Sequence, residues 1–116
     1  MLEFHVTGRG FTWKSDNLEK DAAPAREAGT LAAGKIASGD RAMVVLDEST
    51  YLITYHMLAV SEPLRVLAAG PAGIHLVITG RNASPGLLAA ADMATEMKAV
   101  RRHYRAGANA QRGTEF

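Results

Sequence analysis

Asp47 and Glu48 follow directly on a run of apolar residues, Ala42-Met43-Val44-Val45-Leu46. A short continuous apolar run predicts a strand buried on both faces, and a rigid strand end is a good support for paired carboxylates. Hard divalent cations take oxygen ligands of this kind, and Mg²⁺ in particular is held by one or two carboxylates beside phosphate oxygens. The plain alternative is an acidic strand end that faces water and binds nothing. A second apolar run, Ile74-His75-Leu76-Val77-Ile78, ends in Thr79-Gly80-Arg81. A hydroxyl, a glycine and a guanidinium at one strand end suit a phosphate group, since arginine donates in a planar fork. An ordinary strand-to-helix turn is the competing account.

The acidic pair after its strand resembles the Walker B element of nucleotide-binding α/β proteins. Its usual companion is G-x-x-x-x-G-K-[ST], a loop between strand and helix whose backbone amides cradle phosphates. Gly29-Thr30-Leu31-Ala32-Ala33-Gly34-Lys35 matches seven of those eight positions. Ile36 stands where the cation-binding hydroxyl belongs. Asp21 to Ala28 read as helix, so the segment has no strand to hang from. It is therefore read as two glycines in an alanine-rich helix, and no other glycine-rich segment replaces it. The four histidines form no metal pair. His5 and His75 fall in or beside apolar runs, which predicts packing roles, while His56 and His103 read as exposed. There is no Ser/His/Asp arrangement.

Helices alternating with strands would hold these residues in place. Asn17 to Ser38 is alanine-rich, with Leu18, Ala22, Ala25, Ala28, Leu31 and Ala32 at three- and four-residue steps. That predicts a helix loosened by Pro24, Gly29 and Gly34 and stopped at Gly39. Thr50 to about Met57 predicts a helix with Tyr51 and Tyr55 on one side. Ser61 is expected to cap another, with Leu64, Leu67 and Ala68 as its buried stripe and Gly70-Pro71 as its stop. Ser84-Pro85 opens a helix over Leu87 to Ala91, serine as cap and proline in the first turn. Leu2 to Thr7 alternates as a short strand closed by Gly8 and Gly10, and Thr95 to Val100 reads as a last strand. The sum is an α/β fold with a mostly parallel sheet, in which ligands gather at the carboxyl ends of strands.

With 116 residues, 47% of them apolar, the chain reads as a single domain, 1–116, able to bury a core. It has no cysteine, which excludes disulfides and thiolate metal sites and fits a reducing cytoplasm. No apolar run approaches a bilayer span. Met1-Leu2-Glu3-Phe4-His5 lacks the basic flank and apolar stretch of a signal peptide, so a soluble cytoplasmic protein is expected. Net charge is +1, but residues 98–116 carry five basic side chains against one acid. Lys98, Arg101, Arg102, Arg105 and Arg112 suit an anion such as a polyphosphate, or else a solvated tail. Tyr104 is the one aromatic among these charges before Phe116, which argues against a nucleic-acid partner.

Several segments together resemble the ATP:corrinoid adenosyltransferases of the P-loop, RecA-like type. They are Gly10-Phe11-Thr12-Trp13, Val44-Val45-Leu46-Asp47-Glu48, His75 to Arg81, Asp92-Met93-Ala94-Thr95-Glu96-Met97 and the ending Ala106 to Phe116. Order and spacing agree from Glu3 to Phe116. The resemblance implies a RecA-like α/β fold with a mostly parallel sheet, generally as a homodimer. Members of the family begin with a strand, a Walker A loop and a helix. Those elements have no counterpart in the 116 residues, so the likeness is to the C-terminal portion, an N-terminally truncated form.

What the resemblance implies chemically is transfer of the 5′-deoxyadenosyl group from ATP to the Co(I) of a corrinoid, releasing triphosphate, in cobalamin biosynthesis or salvage. Cobalt supplies the nucleophile and the protein positions it. In the family, the two aromatics of G-F-T-W displace the lower axial ligand and leave a four-coordinate, more reducible cobalt. Phe11 and Trp13 match those catalytic positions, with Gly8 and Gly10 completing a corrinoid-binding loop. Large apolar rings that exclude water suit the task, and core packing is the alternative. Glu48, with Asp47, maps onto the acids that bind Mg²⁺ (or Mn²⁺), and Thr79 and Arg81 onto nucleotide contacts. A flavoprotein electron donor is a partner the resemblance admits, while no membrane or nucleic-acid partner is implied.

Three departures from the family pattern stand out, the first two bearing on polyphosphate contacts near the C-terminus. Arg101-Arg102-His103 replaces the usual lysine-histidine-proline stretch, Asn109 replaces the lysine of A-G-x-K-A-Q, and Ser49-Thr50 replace more typical residues after the acids. Two functions follow from the resemblance. One is the enzyme, with this chain alone expected to be inactive for want of the phosphate loop. The other is a non-catalytic homologue that binds a corrinoid or pairs with a complete subunit.

Overall fold

The alanine-rich segment forms a helix because alanine loses least on ordering, and its apolar positions supply a face to bury. In the structure, a computed structural model that describes residues 1–7, 18–101 and 107 (of 18–22 the backbone alone), this helix is α1, Leu18–Ser38. It runs straight through Gly29 and Gly34 and contains Pro24. Among its described side chains Ala25 and Ile36 are buried, and Lys35 lies in the last turn, where a cation favours the helix dipole. Gly39, with φ +67°, ends the helix in the left-handed conformation that glycine adopts without strain.

After α1 come β1 (Met43–Leu46), α2 (Thr50–Thr54), α3 (Ser61–Ala69), β2 (His75–Ile78) and α4 (Pro85–Ala90). β1 and β2 pair in parallel, Met43 opposite His75 through Leu46 opposite Ile78. Parallel strands need a crossover, which α2 and α3 supply. The ladder extends past both ends: the His75 amide donates to Ala42 O at 2.8 Å and the Thr79 amide to Leu46 O at 3.1 Å. α1 packs on β1 and on α3. This is a small α/β arrangement of helices and a two-stranded parallel sheet. Among the described residues no helix is long and apolar enough to cross a membrane.

Several expectations fail for one reason: burial and pairing need a neighbour that local sequence does not name. The two strands are half-buried on one face only; Met43 is 56% and Val45 54% exposed, and His75 and Val77 share that open face. His75 therefore has no packing role, and neither does His5, also exposed. Residues 2–7 and 95–100, expected as strands, form none and are exposed, because neither segment pairs with β1 or β2. Ser61 is the first residue of α3 rather than its cap; Val60 holds that position without a side-chain bond. Leu64 and Leu67 are only half-buried and Ala68 is exposed, because they line an open groove beside Gly86, Ala89 and Ala90 of α4. Other expectations are met. Ser84 caps α4 by accepting the Leu87 amide at 3.3 Å, and the Tyr51 and Tyr55 rings stack at 6.0 Å on one side of α2. α2 stops short of Met57 because His56 turns to φ +57°.

Candidate functional site

Parallel register sets the two chemical segments side by side. Leu46 is opposite Ile78, so Asp47-Glu48 and Thr79-Gly80 emerge together at the carboxyl ends of the strands. The Thr79 hydroxyl donates to Asp47 Oδ1 at 2.5 Å and accepts the Glu48 amide at 2.9 Å. Glu48 takes φ +54°, a conformation uncommon for a residue with a side chain. Just beyond, the Ser49 hydroxyl donates to Leu46 O at 3.1 Å, and the Tyr51 amide to Glu48 O at 3.2 Å, so the chain passes from strand to α2 within three residues.

The turn after β2 is locked to the start of α2 by shape. Gly80 has φ +142°, and a Cβ added there would lie 1.9 Å from Thr50 Oγ1. Thr50 is 3% exposed, and its hydroxyl has no hydrogen-bond partner. A buried hydroxyl without a partner costs free energy, so close packing against Gly80 is what holds it there.

The Asp47 and Glu48 carboxylates are both exposed, and among the described residues neither has an ion-pair partner. Asp47 uses one oxygen on Thr79; neither Glu48 oxygen is bonded among those residues. Hard, anionic oxygens on a fixed strand end suit Mg²⁺, which keeps several waters and needs only one or two carboxylates. No group of three or more His, Cys, Asp or Glu side chains gathers among the described residues, so a closed all-protein cage is not what they form. Arg81 is exposed in the same turn and makes no hydrogen bond or ion pair among the described residues, leaving its guanidinium open to an anion.

Four of the residues singled out in the sequence thus meet at one edge: Asp47, Glu48, Thr79 and Arg81. Gly8, Gly10, Phe11 and Trp13 lie outside the described residues, as do Arg102, His103, Arg105, Asn109 and Arg112. The Gly29–Lys35 segment lies inside α1, as expected, and offers no phosphate loop. Lys35 instead reaches Glu3, its Nζ 2.9 Å from both carboxylate oxygens, and Arg41 Nη2 joins the same carboxylate. His5 Nε2 stands 3.8 Å from Glu3. Hydrogen bonding from Lys35, with the charges of Arg41 and Lys35, lowers the Glu3 pKa below its ordinary value. Neither this cluster nor the Thr50–Gly80 contact was foreseen, because Glu3 lies 32 residues from Lys35 and 38 from Arg41, and Thr50 is comparably remote in sequence from Gly80.

Comparison with known proteins points one way. The family described as "ATP:corrinoid adenosyltransferase BtuR/CobO/CobP" matches residues 1–116. A corrinoid adenosyltransferase of Pseudomonas aeruginosa is 41% identical over 115 residues, covering 99% of this chain and 57% of the relative. One from Sinorhizobium is 37% identical, covering 100% and 55%, and one from Escherichia coli 36% identical, covering 99% and 59%. The chain thus spans a little over half the length of the curated relatives it matches.

Proposed function

The chain belongs to the ATP:corrinoid adenosyltransferase family, and from that membership we propose that it serves transfer of the 5′-deoxyadenosyl group of ATP to the Co(I) of a corrinoid. The observation that carries this reading is the junction at the carboxyl ends of β1 and β2. There an acidic pair and a threonine-glycine-arginine turn stand together, where α/β proteins bind their ligands. In this reading the fold is RecA-like. Glu48, with Asp47, holds Mg²⁺ or Mn²⁺, and that cation neutralises polyphosphate charge when bound. Arg81 contacts the phosphates and Thr79 belongs to the same nucleotide site. Phe11 and Trp13, with Gly8 and Gly10, serve the corrinoid, the two rings keeping water and nitrogen bases from the cobalt. The working form is a cytoplasmic homodimer that takes electrons from a flavoprotein.

A chimera tests the reading, with the N-terminal part of the Pseudomonas aeruginosa relative placed ahead of Met1. It should convert a reduced corrinoid and ATP to the adenosylated corrinoid, followed by its change in visible absorption. Glu48→Gln in that chimera should lower Mg²⁺-dependent turnover by about a hundredfold, of the order lost when a metal-charge contact is removed, with the fold unchanged. A folded chimera that binds ATP but leaves the corrinoid unchanged would overturn the proposal. So would a Glu48→Gln variant with the parent's Mg²⁺ dependence.

A further inference from the structure

Thr79 was singled out as a phosphate contact, yet its hydroxyl is already occupied. A threonine hydroxyl has one proton to donate and two lone pairs to accept with. The proton goes to Asp47 Oδ1 at 2.5 Å, a short bond of the charge-assisted kind. One lone pair takes the Glu48 amide at 2.9 Å. What remains is a lone pair, which repels a phosphate oxygen rather than binding it.

We infer that Thr79 is a positioning residue: its hydroxyl fixes the Asp47 carboxylate and the Glu48 backbone as one unit, and it is not a ligand of the nucleotide. The inference rests on the reading of Asp47 and Glu48 as cation ligands. Three features equip Thr79 for this. Its own amide bonds to Leu46 O at 3.1 Å, so its backbone is tied to the residue that precedes the acids. Its β-branched side chain has few rotamers, which aims the hydroxyl without a large loss of freedom. The next residue, Gly80, is packed against buried Thr50, two residues along the chain from Glu48, which resists sliding of the two strand ends. Glu48 needs such a hold: at φ +54° its backbone is in a conformation that glycine takes readily and glutamate does not. The amide bond to Thr79 offsets that preference and sets where the Glu48 side chain starts. Groups that orient metal ligands in this manner change metal affinity without touching the metal.

Thr79→Val and Thr79→Ser in the 116-residue chain separate the roles. Valine keeps the shape and removes the hydroxyl; serine keeps the hydroxyl. Amide hydrogen exchange followed by NMR reads the bond directly. In the valine variant the Glu48 amide should exchange about tenfold faster, the loss of one hydrogen bond, while the His75 amide, bonded to Ala42 O, stays as it was. Serine should restore the parent rate. Mn²⁺ affinity, from water proton relaxation, should fall about tenfold with valine and return with serine. An unchanged Glu48 exchange rate in the valine variant would overturn the inference. So would a loss of affinity for inorganic triphosphate with Glu48 exchange intact, which would return Thr79 to the phosphates. Should the valine variant not fold, Thr79→Ala replaces it with the same two readouts. If the parent chain binds no Mn²⁺ while Glu48 exchange responds as expected, the cation reading falls and the clamp stands.

Discussion

Two regions of this molecule are pinned by side chains, and they are pinned by different physics. At the carboxyl ends of β1 and β2 the ties are short-range: a hydroxyl between a carboxylate and an amide, and a buried threonine pressed on a glycine. At the N-terminus, residues 1–7 have no ladder, and their side-chain ties among the described residues are ionic, Glu3 drawing together Lys35 and Arg41 with His5 nearby. The first kind depends on shape and tolerates salt; the second depends on charge in water and is screened over roughly 8–10 Å at ordinary ionic strength. The contrast suits their places. The strand ends are held by contacts that fix side-chain positions, whereas the N-terminal segment is only kept close to α1 and the residues that follow it.

The sharpest way to break the contrast is Gly80→Ala. Its Cβ would strike Thr50 Oγ1 and would sit at φ +142°, so overpacking and backbone strain add. A loss of about 3 kcal/mol is expected, lowering Tm by roughly 10 °C or more in a chain of this size. Thr50→Ala in the same chain should return part of it. A Tm unchanged by Gly80→Ala in thermal unfolding followed by circular dichroism would mean that the two turns do not interlock.

A smaller effect sharpens the short-range side. Ser84→Ala removes the cap bond to the Leu87 amide and should cost about 1 kcal/mol. Ser61→Ala, at a helix start where the side chain caps nothing, should cost less than about 0.5 kcal/mol. Equal losses in denaturant titrations of the two variants would show that the cap at α4 is not made.

The smallest effect falls on the ionic side. Because pairing lowers the Glu3 pKa, the tether's contribution is fully present above the ordinary value of 4.5 and is lost as pH falls through the lower folded value. Carboxyl NMR of Glu3 should show a midpoint below 4.5, moving back towards it in molar salt or in Lys35→Ala. Global Tm should hardly respond. A midpoint at the ordinary value would remove the tether from the description.

Local features were read correctly where one stretch of chain contained its own cause. The helix over Leu18–Ser38 follows from alanine content and spacing, the α4 cap from Ser84-Pro85, and the false phosphate loop from Ile36 and the helix around it. The two apolar runs announced β1 and β2, and the acids and the T-G-R turn follow them directly at the two paired strand ends. Segments 2–7 and 95–100 alternate in the same style yet are not strands, because a strand exists only with a partner to take its backbone bonds. Nothing in alternation says whether that partner is present.

Residue types, the run from α1 through β1, α2, α3 and β2 to α4, and the acidic pair at a strand end were therefore legible in the chain in one dimension, through periodicity, capping and motif spacing. Three-dimensional packing alone could join Thr79 to Asp47 across 32 residues, set Gly80 against Thr50, and turn Lys35 from a motif residue into a partner of Glu3. It also left one face of the sheet open where the apolar runs promised cover on both. The physical reason is range. Backbone preferences and caps act over a few residues, whereas a hydrogen bond, a close contact or an ion pair acts over a few ångströms, and only folding says which residues come that near.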